Sequence, residues 1–168
     1  MIEQFYPDVI IESTYEINYE KLYKSGIQGL IFDIDNTLVP HGAPADERSK
    51  DLFRRLDQIG FSCCLLSNNH ESRVNLFNRD IGVYQICDAH KPSTKGYRRA
   101  MKIMGTNLSS TLLIGDQLFT DIWGANRTGM ANILVRPVDL SWEPPEVVFK
   151  RKLEKIVFHF YDKREGRQ

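Results

Sequence analysis

Leu30 to Pro40 reads LIFDIDNTLVP, an aliphatic and aromatic run interrupted by Asp33 and Asp35 and followed by Asn36 and Thr37. The run has the character of a buried strand, where an unpaired carboxylate costs several kcal/mol or more. The aspartates must therefore lie at the strand's end, have partners waiting for them, or both. The rest of the chain has to supply those partners.

The chain has 168 residues, a length suited to one domain spanning 1–168 with a core of ordinary size. Lys plus Arg and Asp plus Glu are 22 each, so the net charge is zero and no overall field recruits nucleic acid or an anionic membrane. Apolar runs such as TLLIG fall far short of the ~18 residues that span a bilayer. The opening MIEQFYPDVI carries an acid where a signal peptide would be basic, so a cytoplasmic protein is expected. Cys63, Cys64 and Cys87 are odd in number and lack CxxC spacing, which fits small core residues in a reducing compartment.

Short apolar runs alternate with helix-like stretches through the interior. Strands are expected at 29–33, 61–67, 84–87, 111–115 and 132–135, each continuous in apolar character as in a parallel sheet covered on both faces. Between the first two, Leu52, Phe53, Leu56 and Ile59 fall at helical spacing before Gly60. A later helix carries Tyr97, Ala100, Met101 and Met104 before Gly105. The final crossover is short, between Asp121 and Arg127. The fold class is therefore α/β, a three-layer α/β/α sandwich with a mainly parallel sheet.

Two peripheral segments complete the chain, 1–26 and 143–168. The first holds a short amphipathic helix with Tyr19, Leu22 and Tyr23. The second places Val148, Leu153, Ile156, Val157 and Phe160 near helical spacing, with Lys150, Arg151, Lys152, Lys155, Lys163 and Arg164 among them. It fits a helix docking its apolar stripe on the core, or one touching a membrane surface or a partner.

Ligands of open parallel sheets bind beyond the carboxyl ends of the strands. The polar residues there are Asp33 and Asp35, then Ser67, Asn68 and Asn69, then Lys91, then Asp116 and Asp121. Carboxylates at one rim raise each other's pKa and call for a cation. Hard oxygen donors without Cys or His favour Mg²⁺, with Mn²⁺ sharing the preference. Such a site attracts a phosphate, balanced by Lys91 and a hydroxyl such as Ser67. One carboxylate can then act as nucleophile and a second as proton donor.

These residues resemble the haloacid dehalogenase (HAD) superfamily. DIDNT is similar to its DxDxT motif, LLSNN to its second motif, HKPS to its lysine motif and GDQLFTD to its GDxxxxD motif, in order over about residues 29 to 125. The resemblance implies Asp33 as nucleophile and Asp35 as general acid and then base, with Asp35 also lending a backbone carbonyl to the metal. It implies Thr37, Ser67, Asn68 and Lys91 around the phosphate, and a metal site of Asp33, Asp35, Asp116 and Asp121. Asp35 points to phosphatases, since members that break carbon–halogen bonds generally lack it. His41 is placed to line the substrate entrance, whereas His70 and His90 have no matching role.

Superfamily cap domains are inserted between the first and second motifs or between the second and third. Here each interval holds only single helices and strands. The resemblance therefore extends to the capless subclass III and its YqeG-type family, related to phosphatases of phosphatidylglycerophosphate. An uncapped site accepts a phosphate carried on a large body, or is covered by oligomerisation. The expected activity is Mg²⁺-dependent hydrolysis of a phosphate monoester, with phosphatidylglycerophosphate as the leading substrate. A soluble or macromolecular phosphomonoester and a non-catalytic binding scaffold are the alternatives.

Overall fold

The computed structural model describes residues 2–164 and 166. Six parallel strands form one sheet in the order β1-β6-β5-β2-β3-β4. They are β1 (Val9–Ile11), β2 (Gly29–Phe32), β3 (Ser62–Leu66), β4 (Tyr84–Ile86), β5 (Thr111–Gly115) and β6 (Ala131–Val135). β2 lies centrally, with Phe32 in register with Leu65 of β3 and Ile114 of β5.

The pleat sends alternate residues of β2 into different layers. Leu30 and Phe32 pack with Leu52, Phe53 and Leu56 of α2 (Glu47–Ile59) and Phe77 of α3 (Glu71–Asn78). Ile31 packs with Tyr97, Ala100 and Met101 of α4 (Thr94–Met104) and Ala125 of α5 (Trp123–Thr128). Cys63 and Cys64 likewise separate into the two layers, both unpaired and buried, as expected of neighbours on a strand. The α/β three-layer sandwich is thus what the structure shows. α2 opens on a capping box between Asp46 and Ser49 and closes at Gly60, whose φ of 112° suits a residue without Cβ.

The expected interior strands are all present, within a residue or two at their ends. The N-terminal helix is α1 (Tyr19–Lys24). β1 is an addition that the sequence reading lacked. It pairs Val9 with Ile133 at the sheet edge, and Asp8 is locked to Asn132 by reciprocal backbone to side-chain hydrogen bonds of 3.0 and 3.1 Å. The final crossover begins as a π-helix, Leu118–Ile122, before α5.

The C-terminal helix, α6 (Pro145–Arg164), corrects the docking expected of its apolar stripe. Of the five stripe residues only Val157 is buried, joined by Tyr161 and by Glu154, while Val148, Leu153, Ile156 and Phe160 face solvent. Polar contacts made by Arg151 and Glu154, described below, fix the helix's rotation and leave most of the stripe outside. Among the described residues, no helix is long and apolar enough to cross a membrane.

Candidate active site

The ladder to β5 continues one residue past β2, with the Asp33 N–H donating to Ile114 O at 3.0 Å. The chain then bends. Asn36 takes a φ of 62°, which asparagine tolerates better than most residues, and its N–H donates to Val39 O at 2.8 Å. Asp33 and Asp35 therefore leave the sheet at its carboxyl edge instead of standing along an ideal strand.

Lys91 Nζ lies 2.7 Å from Asp33 Oδ1 and 2.7 Å from Asp121 Oδ1. All three side chains are nearly or fully buried. Burial raises the pKa of Asp33, an effect that Lys91 opposes and that Asp121 and Asp116 reinforce. Burial pulls Lys91 downward, but Asp121 and Asp33 outweigh it and hold the ammonium charged.

Asp33, Asp116 and Asp121 offer carboxylate oxygens all within 4.8 Å of one another. Three hard anionic donors against Lys91 and Arg151 keep a net negative charge that suits a divalent cation, and no sulfur or imidazole enters the set. Gly115 makes this possible: a Cβ built there would come within 2.5 Å of Asp121 Cβ. The Gln117 N–H, at 3.1 Å, fixes the second oxygen of Asp121. Burial lifts Asp116 to about 6, with Arg151 holding it from going higher.

Asp35 stands outside that cluster. Its Oδ1 accepts from the Gly42 N–H at 2.7 Å and from Arg73 Nη2 at 2.8 Å, and its Oδ2 accepts from Asn69 Nδ2 at 2.7 Å. Thr37, expected near the phosphate, instead donates to Asp116 Oδ1 at 2.9 Å and is buried. Asn68 pins the Lys91 backbone, accepting from its N–H at 2.6 Å and donating to its carbonyl at 3.2 Å. Its side chain is thereby committed to positioning Lys91.

Asp33, Asp35, Ser67 and Lys91 face a common pocket of about 260 Å³. No domain is inserted over it, yet it is not open on every side. His41 lines it from the loop after the nucleophile motif, and Val147 and Lys150 of α6 form the opposing wall. His70 instead pairs with Asp88 in an exposed contact at 2.6 Å.

The residues that hold this wall were not read from the sequence. Arg151 contacts the Asp116 carboxylate through Nη2 and donates to the Asp116 carbonyl through Nη1 at 2.7 Å. Glu143 accepts from Arg151 Nη2 and from Asn36 Nδ2, both at 2.8 Å. Glu154 accepts from the Leu118 N–H at 2.7 Å, capping the π-helix that carries Asp121. Arg73 of α3, which holds Asp35, was not read either, and Asn69, read at the rim, had no role assigned to it.

Residues 89–137, which hold Lys91, Asp116 and Asp121, match the HAD-hydrolase-like family model. Over 143 residues the chain is 39% identical to the probable phosphatase YqeG of Bacillus subtilis, covering 84% of this chain and 83% of that one. The chain belongs to the YqeG family of HAD-type phosphatases. This YqeG-type chain is also 29% identical to phosphatidylglycerophosphate phosphatase 1 of Arabidopsis thaliana, covering 88% of itself but 45% of that protein. With the Chlamydomonas reinhardtii protein of the same name the identity is 26%, over 89% of this chain and 60% of the other. It thus spans less than two thirds of either phosphatidylglycerophosphate phosphatase. Among solved structures, the fold is shared with a Streptomyces avermitilis protein given as an HAD family hydrolase (TM-score 0.54, 15% identity, 68% and 76% coverage). It is also shared with an uncharacterized Corynebacterium glutamicum protein (TM-score 0.53, 17% identity, 79% and 93% coverage).

Proposed function

We propose that this phosphatase hydrolyses phosphatidylglycerophosphate through a phosphoryl group carried on Asp33. The observation behind this reading is Asp33 itself: one oxygen is held 2.7 Å from Lys91 Nζ, and the carboxylate faces the pocket beside Ser67. Lys91 Nζ and Ser67 Oγ, which line the same pocket, would hold the phosphoryl oxygens. Asp33 Oδ attacks phosphorus and the ester P–O bond breaks, while Asp35 gives a proton to the leaving alkoxide. In the second half Asp35 takes a proton from water, whose oxygen attacks phosphorus and releases phosphate from Asp33.

Both oxygens of Asp35 are engaged by donors, so reaching the leaving oxygen means parting from one of them. Arg73 and Asn69 act as positioning residues that keep Asp35 at the pocket edge between these steps. Mg²⁺ is the cation that the donor set fits; Asp33, Asp116 and Asp121 would hold it, with the Asp35 backbone carbonyl beside them, and it would supply charge neutralisation at the phosphoryl group.

Support for the lipid substrate comes from the plant and algal relatives, both phosphatidylglycerophosphate phosphatases by name, and from a pocket without an inserted cap. The test is phosphate release from phosphatidylglycerophosphate in mixed micelles, sugar phosphates, nucleotides and phosphopeptides, with Mg²⁺ or with EDTA. Wild type should release phosphate from the lipid only with metal, and Asp33→Asn should lower the rate by at least about three orders of magnitude. Turnover of a soluble ester with none of the lipid would reject the substrate and keep the chemistry.

A further inference from the structure

We propose that the solvent-facing side of α6 docks on an anionic bilayer surface and so brings the mouth of the catalytic pocket to the lipid headgroups. The purpose of such docking rests on the lipid reading above. Its physical basis is a surface that none of the described residues covers.

Exposed large hydrophobic residues elsewhere on the molecule are scattered, but between 138 and 160 they are concentrated. Phe149, Leu153, Ile156 and Phe160 recur at intervals of four, three and four, which places them on one face of a helix. That face is turned away from the one carrying Arg151, Glu154 and Tyr161. Phe149 is 62% exposed and Ile156 55%. A continuous apolar face of this kind marks an interaction surface, unlike single exposed residues.

Charge selects the occupant. Lys152, Lys155 and Lys163 flank the stripe, all exposed and with no ion pair among the described residues. Arg164 adds to them, held loosely at 3.6 Å from Glu3. Of the acids on the described part of the helix, Glu154 is buried against Leu118, which leaves Glu146 and Asp162 against Lys152, Lys155, Lys163 and Arg164. Apolar residues rimmed by lysine suit the boundary between anionic headgroups and acyl chains. A second copy of the same face would bring lysine against lysine.

Position links this face to the active site. Lys150 lines the catalytic pocket next to Phe149 on the stripe. Trp142, 64% exposed, packs its ring 5.3 Å from His41, which also lines the pocket and reaches to 3.9 Å from Asp35. Tryptophan at that rim has the amphipathic character favoured at a membrane interface. A bilayer engaging Trp142 and the stripe would meet the pocket mouth directly.

The experiment is co-sedimentation of the full chain with vesicles of phosphatidylcholine alone or mixed with phosphatidylglycerol. Wild type is compared with Ile156→Glu/Phe160→Glu and with Lys152→Gln/Lys155→Gln. Thermal melting verifies that each variant is folded. Wild type should bind the anionic vesicles and release them at high salt, while the glutamate pair loses about tenfold or more in the bound fraction. Absence of wild-type binding, or binding indifferent to the glutamates, overturns the proposal. So does sedimentation velocity showing a stable dimer that the glutamates dissolve. Vesicle binding without hydrolysis of phosphatidylglycerophosphate rejects the substrate and leaves the docking. Hydrolysis in micelles without vesicle binding does the reverse.

Discussion

At the scale of single residues, Lys91, Arg151 and Arg73 organise the carboxylates, and they differ in how visible they are in sequence. Lys91 was legible because it stands in order with three other motifs at strand ends. Arg151 was not, since Lys150 and Lys152 beside it carry the same charge and nothing in their spacing says which of the three turns inward. Only the fold shows Arg151 on Asp116. Replacing Arg151 with Gln should leave Asp116 buried without its counter-charge and lower the stability of the metal-free protein by about 3–5 kcal/mol. Mg²⁺ would compensate that carboxylate, so its addition should raise the melting temperature of Arg151→Gln by more than it raises that of wild type. Equal shifts would show that the arginine and the metal site are independent. Arg73 was hidden for another reason, since nothing in ESRVNLFN marks the one arginine of that helix as turning toward Asp35. Arg73→Leu should lower kcat by about tenfold or more with a smaller change in KM, because it releases Asp35 and leaves the phosphoryl contacts intact; steady-state kinetics would decide it.

At the scale of elements, the sheet was readable wherever a strand is covered on both faces, because burial on both sides produces an unbroken apolar run. β1 escaped because it has three residues, one of them the exposed Val9, and gains its place through Asp8 and Asn132 instead of through hydrophobic pattern. α6 was recognised as a helix but its inner face was misjudged. What it buries includes an ion pair, while most of its apolar stripe lies outside. The contact of α4 with α5 offers a sharp test of packing near the site. Tyr97 of α4 lies across Gly124 of α5, where an added Cβ would overlap its phenol ring, and its hydroxyl lies 3.0 Å from the Thr120 carbonyl and 3.2 Å from that of Asp121. Gly124→Ala should destabilise by about 1–3 kcal/mol through overpacking. It should also reduce turnover by displacing the turn that carries Asp121. Chemical denaturation with a parallel phosphate-release assay would separate the two effects.

For the molecule as a whole, stability should depend on pH in a direction set by its buried acids. Glu154 ordinarily titrates near 4.5, and burial lifts it to about 7 against the pull of Arg151 and the Leu118 N–H. Below 4.5 it is protonated in both folded and unfolded chains. Between 4.5 and 7 the unfolded chain gives up the proton while the folded one keeps it, so stability falls as pH rises, by up to about 3 kcal/mol from this group. Asp116, lifted to about 6, acts in the same sense. In EDTA the melting temperature should therefore decline from pH 5 to 7.5, and Glu154→Gln should flatten the curve. Cys63 and Cys64, pushed by burial to about 12, should resist a thiol reagent until the protein unfolds, leaving Cys87 as the site of any native labelling.

The wall of the pocket comes from a helix that follows the last strand, not from an insertion within the catalytic loops. One wall of the pocket and the aspartates therefore come from distant parts of the chain, joined by Arg151 on Asp116 and Glu143 on Asn36. Exchanging the segment from 138 onward for that of another such phosphatase would retune which phosphates enter while leaving the nucleophile strand uncut. The graft must bring an arginine to meet Asp116, so that residue sets the grammar by which tails of this kind are interchangeable.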